Sequence, residues 1–219
     1  MKIGIIGAGF IGRAVARLAV ARGHAVMLSN SRGPKTLTST IISVGCQIGT
    51  AEQASTFGDV VLIAVPFANH AQIAAAPLAG RIVLDANNYY PGRDGVIDVL
   101  ETRSTTTSEM LARHLVGAKV VKAFNAILER DIEQDARPAG SLDRRALPIA
   151  GDDGDAKKVV SALLDGFGFD VVDAGALAEG WRFERARPAY CVRLDRRGLE
   201  QALADAETTV AEGSWRTPA

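Results

Sequence analysis

The first thirty-two residues constrain what this chain can fold into more than any other stretch. An apolar strand signal at residues 3–6 leads into the pattern Gly7-x-Gly9-x-x-Gly12, and an amphipathic helical pattern follows. In such a turn the first glycine permits the tight bend, the second lets the backbone approach a diphosphate, and the third lets the helix pack closely against the strand. The diphosphate then binds the unpaired amides of the helix start. We predict a dinucleotide site, rather than an ordinary strand–turn–helix, at Gly7, Gly9, Phe10, Ile11 and Gly12.

The end of the second predicted strand indicates which dinucleotide binds. NAD sites usually carry an acidic residue about twenty residues after the first glycine, where it binds the ribose hydroxyl. This chain has Ser29-Asn30-Ser31-Arg32 there, with Lys35 shortly after. A carboxylate would repel a 2′-phosphate, whereas hydroxyl, amide and guanidinium groups hold it through charge-assisted hydrogen bonds. The pattern predicts NADP(H); a solvated polar turn is the alternative.

Strand and helix signals alternate along the chain. Predicted strands cover residues 46–49, 59–66, 81–85, 119–122, 147–150 and 170–173. Predicted helices cover residues 33–44, 50–57, 67–76, 108–116, 156–167 and 195–211. This alternation predicts an α/β fold with a doubly wound, mostly parallel sheet of the Rossmann type and right-handed crossovers.

A charged stretch at residues 131–146 contains a Pro-Ala-Gly-Ser run and is interpreted as a connector. It divides the chain into a predicted NADP-binding domain, 1–130, and a smaller C-terminal α/β segment, 131–219, that completes the acceptor cleft. The tail at residues 213–219 is expected to be frayed.

Composition narrows the functional class. The 219 residues hold 25 basic and 25 acidic side chains, so charge does not indicate a nucleic-acid or membrane partner. No apolar run reaches the roughly eighteen residues that span a bilayer, and the chain begins on a core strand, so neither a membrane span nor a signal peptide is expected. Cys46 and Cys191 are isolated, and the acidic run 151–155 suits a helix start, so no metal site is expected. We predict a cytoplasmic enzyme or binding protein.

Three further loops occupy the positions where an open α/β sheet binds ligands, beyond the carboxyl ends of its strands. They lie at residues 65–70, 85–88 and 122–126. In and beside them we predict cofactor contacts from Ala64, Val65, Pro66, His70, Asn87, Ala123 and Asn125. The two asparagines could bond the ribose, the carboxamide or an acceptor.

No catalytic residue is assigned from the sequence. The acid–base candidates are His70, Asp85, Tyr89 and Lys122, and none has a neighbouring partner in sequence that marks it as activated. Hydride transfer to another redox ring needs two stacked rings at the right distance and no such group. This inventory therefore favours a cofactor-like acceptor.

Aromatic and cationic residues alternate between Trp181 and Tyr190, with Arg182, Arg185 and Arg187 among them. This segment could cover the nicotinamide or bind an anionic acceptor. Alternatively, its aromatic rings pack the last helix onto the sheet.

The combined pattern resembles the F420-dependent NADP oxidoreductases and their bacterial NADP-binding relatives, which share a Rossmann domain with metalloreductases. The matching stretches, which cover most of residues 1–180, are 5–12, 29–32, 63–66, 120–125, 151–160 and 173–177. The resemblance implies NADP held by 9–12, by Ser31, Arg32 and Lys35, and by the loop after Val65. It also implies a deazaflavin stacked on the nicotinamide near Pro66, Phe67 and Asn125. Past residue 180 the family's deazaflavin enzymes end in an apolar segment, whereas this chain ends in a charged helix.

The leading hypothesis is an NADP(H)-dependent oxidoreductase that moves hydride between nicotinamide and a small-molecule redox acceptor, coenzyme F420 or a flavin. One alternative is a non-catalytic NADP-binding or redox-sensing module. Another is a dehydrogenase of the β-hydroxyacid or pyrroline-carboxylate type, but those enzymes carry a long helical domain for which 219 residues leave little room. A homodimer is possible, because the apolar positions of the last helix could face a partner or the chain's own sheet: Leu199, Ala202, Leu203 and Ala206.

Overall fold

Eight short strands, most of them apolar, form the centre of the fold. In the computed structural model, which describes residues 1–209, they are β1 (Lys2–Ile6), β2 (Ala25–Ser29), β3 (Gln47–Gly49), β4 (Val60–Ile63), β5 (Ile82–Asp85), β6 (Lys119–Lys122), β7 (Ala146–Gly151) and β8 (Asp170–Asp173). They form one sheet in the order β3-β2-β1-β4-β5-β6-β7-β8. β1 to β6 pair in parallel, β7 runs antiparallel to β6, and β8 runs parallel to β7. The predicted mostly parallel α/β sheet is confirmed.

Helices connect these strands. They are α1 (Phe10–Ala21), α2 (Thr38–Val44), α3 (Ala51–Phe57), α4 (Pro91–Asp94), α5 (Asp98–Glu101), α6 (Thr107–His114), α7 (Glu129–Gln134), α8 (Gly154–Phe167) and α9 (Arg196–Ala204). Short 3-10 helices cover Pro34–Leu37, Phe67–Gln72, Ala76–Leu78 and Leu177–Phe183. Within residues 1–209, every helix is too short or too polar to cross a membrane.

The sheet is covered on both faces. Along β4, Val60 and Leu62 pack in one core with residues of α1 and α8, whereas Val61 and Ile63 pack in a second core with Leu111 of α6. Successive side chains of a strand point to opposite faces, so a strand buried on both sides has to be apolar throughout. This requirement explains the continuous apolar run of β4.

The strand order reverses between β1 and β4. From β1 the chain proceeds outward through β2 and β3, and it then returns to pair β4 with the other side of β1. Loops that leave adjacent strands at such a reversal diverge and open a crevice, which is the usual ligand site of open α/β sheets. The glycine turn after β1 and the loop after β4 therefore lie side by side.

The predicted helix at residues 67–76 is wrong. The chain instead forms the 3-10 helices Phe67–Gln72 and Ala76–Leu78, with Ile73 in an extended conformation between them. Nε2 of His114 binds the Ile73 carbonyl at 2.7 Å, and Pro77 has no amide to give to that carbonyl. An α-helix that continued past Ala76 would need that bond.

The predicted connector at 131–146 is also wrong in part, because it contains most of α7 and the start of β7. Arg145 is 1% exposed and its guanidinium contacts Asp131 at 3.1 Å and Asp135 at 2.7 Å, which fixes α7 beside the sheet. The division of the chain at residue 130 stays a prediction; β7 and β8 join the same sheet as β1–β6.

The last described helix is shorter than the predicted 195–211. α9 ends at Ala204, and residues 205–209 are not helical. The end of the predicted helix, 210–211, and the predicted frayed tail, 213–219, lie outside the described residues. The apolar side chains of α9 pack on the chain's own sheet with Val172 and Phe183: Leu199, Ala202 and Leu203. The apolar side of this helix was expected to face either the chain's own sheet or a second copy of the chain, and the structure shows the first. A homodimer stays a prediction.

Candidate functional site

The glycine turn after β1 leaves no space for side chains at two of its three glycines. A Cβ atom at Gly7 would lie 2.1 Å from the Ala64 carbonyl oxygen, and one at Gly12 would lie 1.9 Å from the Gly7 carbonyl oxygen. Gly7 also has a φ of 115°, in the region that favours glycine. A Cβ at Gly9, in contrast, would meet nothing within 4 Å among residues 1–209. Gly9 therefore faces open space.

The start of α1 faces the same space. Gly9 is the N-cap residue and has no side chain to bind the first amides of this 12-residue helix. The first turn of α1 contains no carboxylate, so the positive end of the helix dipole is not neutralised from within. Phe10 is 81% exposed beside it, and Ile11 is half-buried.

Ser29 ends β2 with its side chain directed into the fold. Its hydroxyl donates a hydrogen bond of 2.9 Å to the Ile5 carbonyl, and the residue is fully buried. The Ser29 carbonyl accepts a bond of 3.0 Å from the Gly7 amide. The hydroxyl is therefore not presented to a ligand, contrary to the direct contact expected from the sequence; Ser29 instead joins the ends of β1 and β2.

The next residues form a braced loop. Oδ1 of Asn30 accepts from the Arg32 amide at 3.1 Å, and Nδ2 donates to Thr36 at 2.9 Å. This arrangement leaves the side chains of Ser31, Arg32 and Lys35 exposed. Two cations and a hydroxyl thus lie at the carboxyl end of β2.

Asn87, after β5, is held by the loop after β4. Its Oδ1 accepts a bond of 2.9 Å from the Val65 amide, which determines the orientation of the side-chain amide. Asn87 is 2% exposed, and its Nδ2 has no hydrogen-bond partner among residues 1–209. Ala64 and Val65 are half-buried and Pro66 is exposed along the same edge.

Asn125, after β6, is the neighbour of this loop. Its Nδ2 donates to the Phe183 carbonyl at 3.0 Å and to Oδ1 of Asn88 at 3.2 Å, while its Oδ1 lacks a partner within the described chain. Phe124 has a φ of 62°, an unusual conformation for a residue with a side chain. The strands β5 and β6 are therefore each followed by a buried asparagine with unused hydrogen-bonding capacity. Ala123, directly after β6, is fully buried.

His70 is engaged within its own turn. Nδ1 lies 2.8 Å from the Phe67 carbonyl, and its ring stacks on Phe67 with centroids 4.4 Å apart. Phe67 is fully buried. Its ring is therefore not presented to a stacked acceptor, contrary to the expectation drawn from the family resemblance. The predicted ligand contact of His70 stays a prediction.

Lys122 ends β6 in a fully buried position. Its Nζ lies 2.9 Å from Oγ1 of Thr107, 3.1 Å from Oγ of Ser108 and 3.0 Å from Oε1 of Glu184. The nearest oxygen of Asp85 is 4.0 Å away. We call these five residues the Lys122 cluster. A buried ammonium requires such partners, because desolvation of an unpaired charge is costly.

Asp85 links this cluster to Asn87. Ser108 donates to Oδ2 of Asp85 at 2.5 Å, and the backbone amide of Asn87 donates to Oδ1 at 3.0 Å. Burial raises the pKa of the Asp85 carboxyl, and the charge of Lys122 opposes this effect. The two acid–base candidates Asp85 and Lys122 thus share Ser108 as a hydrogen-bond partner. Both also contact backbone atoms of Asn87 and so support its loop.

The sequence did not indicate Thr107, Ser108 or Glu184 as part of this site. Thr107 and Ser108 lie at the start of α6, and Glu184 follows the 3-10 helix Leu177–Phe183. A lysine in an apolar strand implies a buried acidic partner, but it does not say which one. Only the packing of these segments against β6 identifies the residues.

A cavity of about 360 Å³ adjoins the Lys122 cluster. Two members of the cluster line it, together with residues of the α5–α6 connection and of the segment around residue 181: Tyr89, Arg103, Thr107, Trp181, Glu184 and Arg187. Phe183, by contrast, packs in the core with α9. Part of the aromatic and cationic segment therefore lines a cavity, and Phe183 packs with the last helix as the alternative interpretation predicted. Contact of the segment with a nicotinamide or an anionic acceptor stays a prediction.

Residues 2–89 match the sequence profile of a family described as NADP oxidoreductase, coenzyme F420-dependent. The chain is 31% identical to the metalloreductase STEAP3 of Rattus norvegicus over 185 residues, 84% of this chain and 36% of that protein. It is 33% identical to the Escherichia coli protein YjhV over 87 residues, 40% of this chain and 62% of that protein. The chain thus spans about a third of the first relative and less than two thirds of the second.

Solved structures extend the similarity beyond residue 89. A hypothetical protein from Sinorhizobium meliloti has a TM-score of 0.77 and 32% identity, over 90% of this chain and 96% of that one. A candidate F420-dependent NADP reductase from Arthrobacter sp. FB24 has a TM-score of 0.69 and 26% identity, over 80% and 85%. A 3-hydroxyisobutyrate dehydrogenase of Mycobacterium tuberculosis, at 16% identity and a TM-score of 0.57, shares the fold. The glycine turn and the first strands thus lie in residues 2–89, which match the family of coenzyme F420-dependent NADP oxidoreductases, and the solved structures show that the fold is shared over most of the chain.

Proposed function

We propose that this protein binds NADP(H) and transfers hydride between the nicotinamide and a redox-ring acceptor, coenzyme F420 or a flavin. The observation that carries the proposal is the exposed group of Ser31, Arg32 and Lys35 at the end of β2. Their hydroxyl and cationic groups suit a 2′-phosphate, and residues 29–32 contain no carboxylate that would repel it.

The start of α1 fits the diphosphate of such a dinucleotide. Gly9 faces open space, and a side chain there would occupy it. The first amides of α1 point into this space without a side-chain cap, as anion sites at helix N-termini require. Gly7 and Gly12 bring the helix and β1 close enough to form the cradle.

The ends of β5 and β6 fit the polar part of a nicotinamide riboside. A buried donor or acceptor without a partner costs about 1–3 kcal/mol, so a bound ligand or an ordered water that pairs with it is stabilised. Asn87 offers a donor and Asn125 an acceptor of this kind. The nicotinamide, when bound, supplies the hydride.

The charged residues near these strand ends are occupied with internal contacts. Lys122, Asp85 and Glu184 satisfy one another and the start of α6. Hydride transfer between two rings depends on their position and on exclusion of water, and it does not need a side-chain proton donor. The arrangement is therefore more suitable for a ring acceptor than for reduction of a carbonyl or an imine.

A titration with NADPH and with NADH, followed by addition of coenzyme F420, FMN or a ferric chelate to the same cuvette, tests the proposal by absorbance. We expect tighter binding of NADPH than of NADH and reduction of one of the acceptors. Binding of NADH with equal or greater affinity would contradict the assignment of the dinucleotide. Failure to reduce any acceptor above background would contradict the proposed reaction.

The second candidate is a non-catalytic NADP-binding or redox-sensing module. The engagement of Lys122 and Asp85 within the structure favours it, because neither is free to transfer a proton. Tight NADPH binding without turnover, together with an NADPH-dependent change in association with a partner, would support this candidate. Robust turnover would exclude it.

A further inference from the structure

We infer that the cavity beside the Lys122 cluster binds the phosphate group of an acceptor, with Arg103 as its main cationic contact. The inference deepens the proposed function, since it names the chemical class of the acceptor. The cavity has a volume of about 360 Å³, within the range of small-molecule sites. Most of its walls come from residues 100–109 and 178–187, and Tyr89 and Thr208 complete the lining.

Arg103 is held at the cavity in an unusual conformation. Its φ of 56° lies in the left-handed region, where glycine or asparagine would be less strained. Within residues 1–209 its side chain makes no ion pair. Strained non-glycine residues are concentrated at functional sites, because the strain has to be offset by another role.

Arg187 supplies a second cation to the same cavity. Its guanidinium donates to the backbone carbonyls of residues 207–209 and lies over the Trp181 ring, 5.2 Å from the centroid. Burial lowers the pKa of this guanidinium, and the positive charge of Arg103 lowers it further. The two guanidinium groups therefore repel each other. An anion between them would remove that repulsion.

Three carboxylates also line the cavity, and the charge of Glu184 opposes the effect of Arg103 on Arg187. Glu109 caps α6, where it accepts bonds from the Thr106 amide at 2.8 Å and the Thr105 hydroxyl at 3.1 Å. Glu184 is paired with Lys122, and Glu101 is exposed to solvent.

The cavity is also connected to the predicted nicotinamide site. Thr107 and Glu184 form part of its wall and both contact Nζ of Lys122. The same Nζ lies 3.4 Å from the carbonyl oxygen of Asn87, in the loop that is predicted to bind the nicotinamide end of the cofactor. A phosphate at Arg103 would thus anchor an acceptor in a cavity whose wall shares the Lys122 ammonium with the Asn87 loop.

FMN and riboflavin differ by one phosphate group, so they test the inference directly. Binding of each is measured by flavin fluorescence with wild-type protein, with Arg103→Gln and with the control Arg130→Gln, whose exposed side chain lies in α7, outside the cavity lining. We expect wild-type protein to bind FMN about ten-fold tighter than riboflavin, as one charge-assisted contact provides. Arg103→Gln should abolish this preference and leave riboflavin binding unchanged, and Arg130→Gln should retain it.

Inorganic phosphate should compete with FMN in the wild-type protein, and acetate should compete much less. Equal competition by acetate would overturn the inference, because it would show a site that binds carboxylates as well as phosphates. Equal affinity for both flavins, an unchanged preference in Arg103→Gln, or no saturable binding of FMN would overturn the inference. NADPH binding is measured on the same samples. Its absence would contradict the proposed function, while the flavin comparison would still decide the inference.

Discussion

The ammonium group of Lys122 lies 3.0 Å from the carboxylate of Glu184, and the lysine is fully buried. This contact joins the end of β6 to the segment that follows the 3-10 helix Leu177–Phe183, and so it connects the sheet to the cavity wall. Gly180 makes room for it, because a Cβ there would lie 2.7 Å from Cδ of the lysine. The position of Glu184 beside the predicted active cleft thus depends on a buried ion pair.

Removal of the buried ammonium should destabilise the protein strongly. Lys122→Met leaves the carboxylates of Asp85 and Glu184 without their cation, and such a loss costs about 3–5 kcal/mol in free energy of unfolding. Lys119→Met is the matched control on the same strand, since the Lys119 side chain is 43% exposed and pairs with Asp153 at the surface. Its cost should stay below about 1 kcal/mol. Urea unfolding measures both, and equal effects would contradict the role of the cluster.

Two glycines of the turn should separate binding from folding. Gly9→Ala meets no atom within 4 Å among residues 1–209, so we expect a change in unfolding free energy below about 1 kcal/mol. Its methyl group occupies the space predicted for the diphosphate, so NADPH affinity should fall at least about ten-fold. Gly12→Ala places Cβ 1.9 Å from a backbone oxygen and should destabilise the fold itself by about 1–3 kcal/mol or more.

Urea unfolding and NADPH fluorescence measure these two variants. The interpretation of the turn would be wrong if Gly9→Ala bound NADPH as tightly as wild-type protein, or if the two substitutions destabilised the fold equally.

Arg32 should discriminate between the two dinucleotides. Arg32→Ala removes a charge-assisted hydrogen bond to the 2′-phosphate, which is worth about 1.5–3 kcal/mol, so NADPH affinity should fall about 10- to 100-fold. NADH has no phosphate at that position, and its affinity should remain unchanged. Competition of each dinucleotide against 2′,5′-ADP provides the measurement. A parallel loss for NADH would indicate a general effect on the loop.

Cys191 should react slowly with alkylating reagents. Burial raises the pKa of its thiol to about 11 from 9.0, so about one molecule in a thousand carries a thiolate at pH 8. Iodoacetamide labelling followed by mass spectrometry should show little modification of Cys191 in the folded protein at pH 8 and rapid modification in urea. Fast labelling of the folded protein would contradict the raised pKa of the Cys191 thiol.

The same shift predicts a dependence of stability on pH. Because the pKa in the folded state is the higher one, the stabilising contribution is fully present below pH 9 and is lost as the pH rises through about 11. Urea midpoints should therefore fall between pH 9 and pH 11 by a larger amount in wild-type protein than in Cys191→Ala. Equal slopes for the two proteins would show that the thiol does not contribute.

Local patterns were sufficient for the framework of the fold. The apolar runs of β1 and β4 and the glycine turn predict a parallel sheet because their chemistry is local: a strand buried on both faces must be apolar, and a tight turn at Gly7 must have a positive φ. The exposed cations after β2 follow from the same stretch, since the loop that presents them is braced by its own neighbour Asn30.

Segments whose conformation depends on distant partners were not predictable in this way. Between the 3-10 helices Phe67–Gln72 and Ala76–Leu78 the chain is extended at Ile73, whose carbonyl binds His114 on α6. The charged stretch near residue 131 is helical because Arg145, directly before β7, binds two of its aspartates. In both cases a contact between residues far apart in the chain outweighs the local preference.

The sequence by itself determined the class of the sheet, the glycine turn and the identity of the cations that follow β2, because each depends on residues within one or two turns of the chain. Only the tertiary structure decided that the Ser29 hydroxyl is used inside the sheet, that Lys122 is paired with Glu184, and that Arg103 and Arg187 share a cavity. The physical reason is that buried charges and hydroxyls take the partners that packing brings to them, and those partners come from segments distant in sequence.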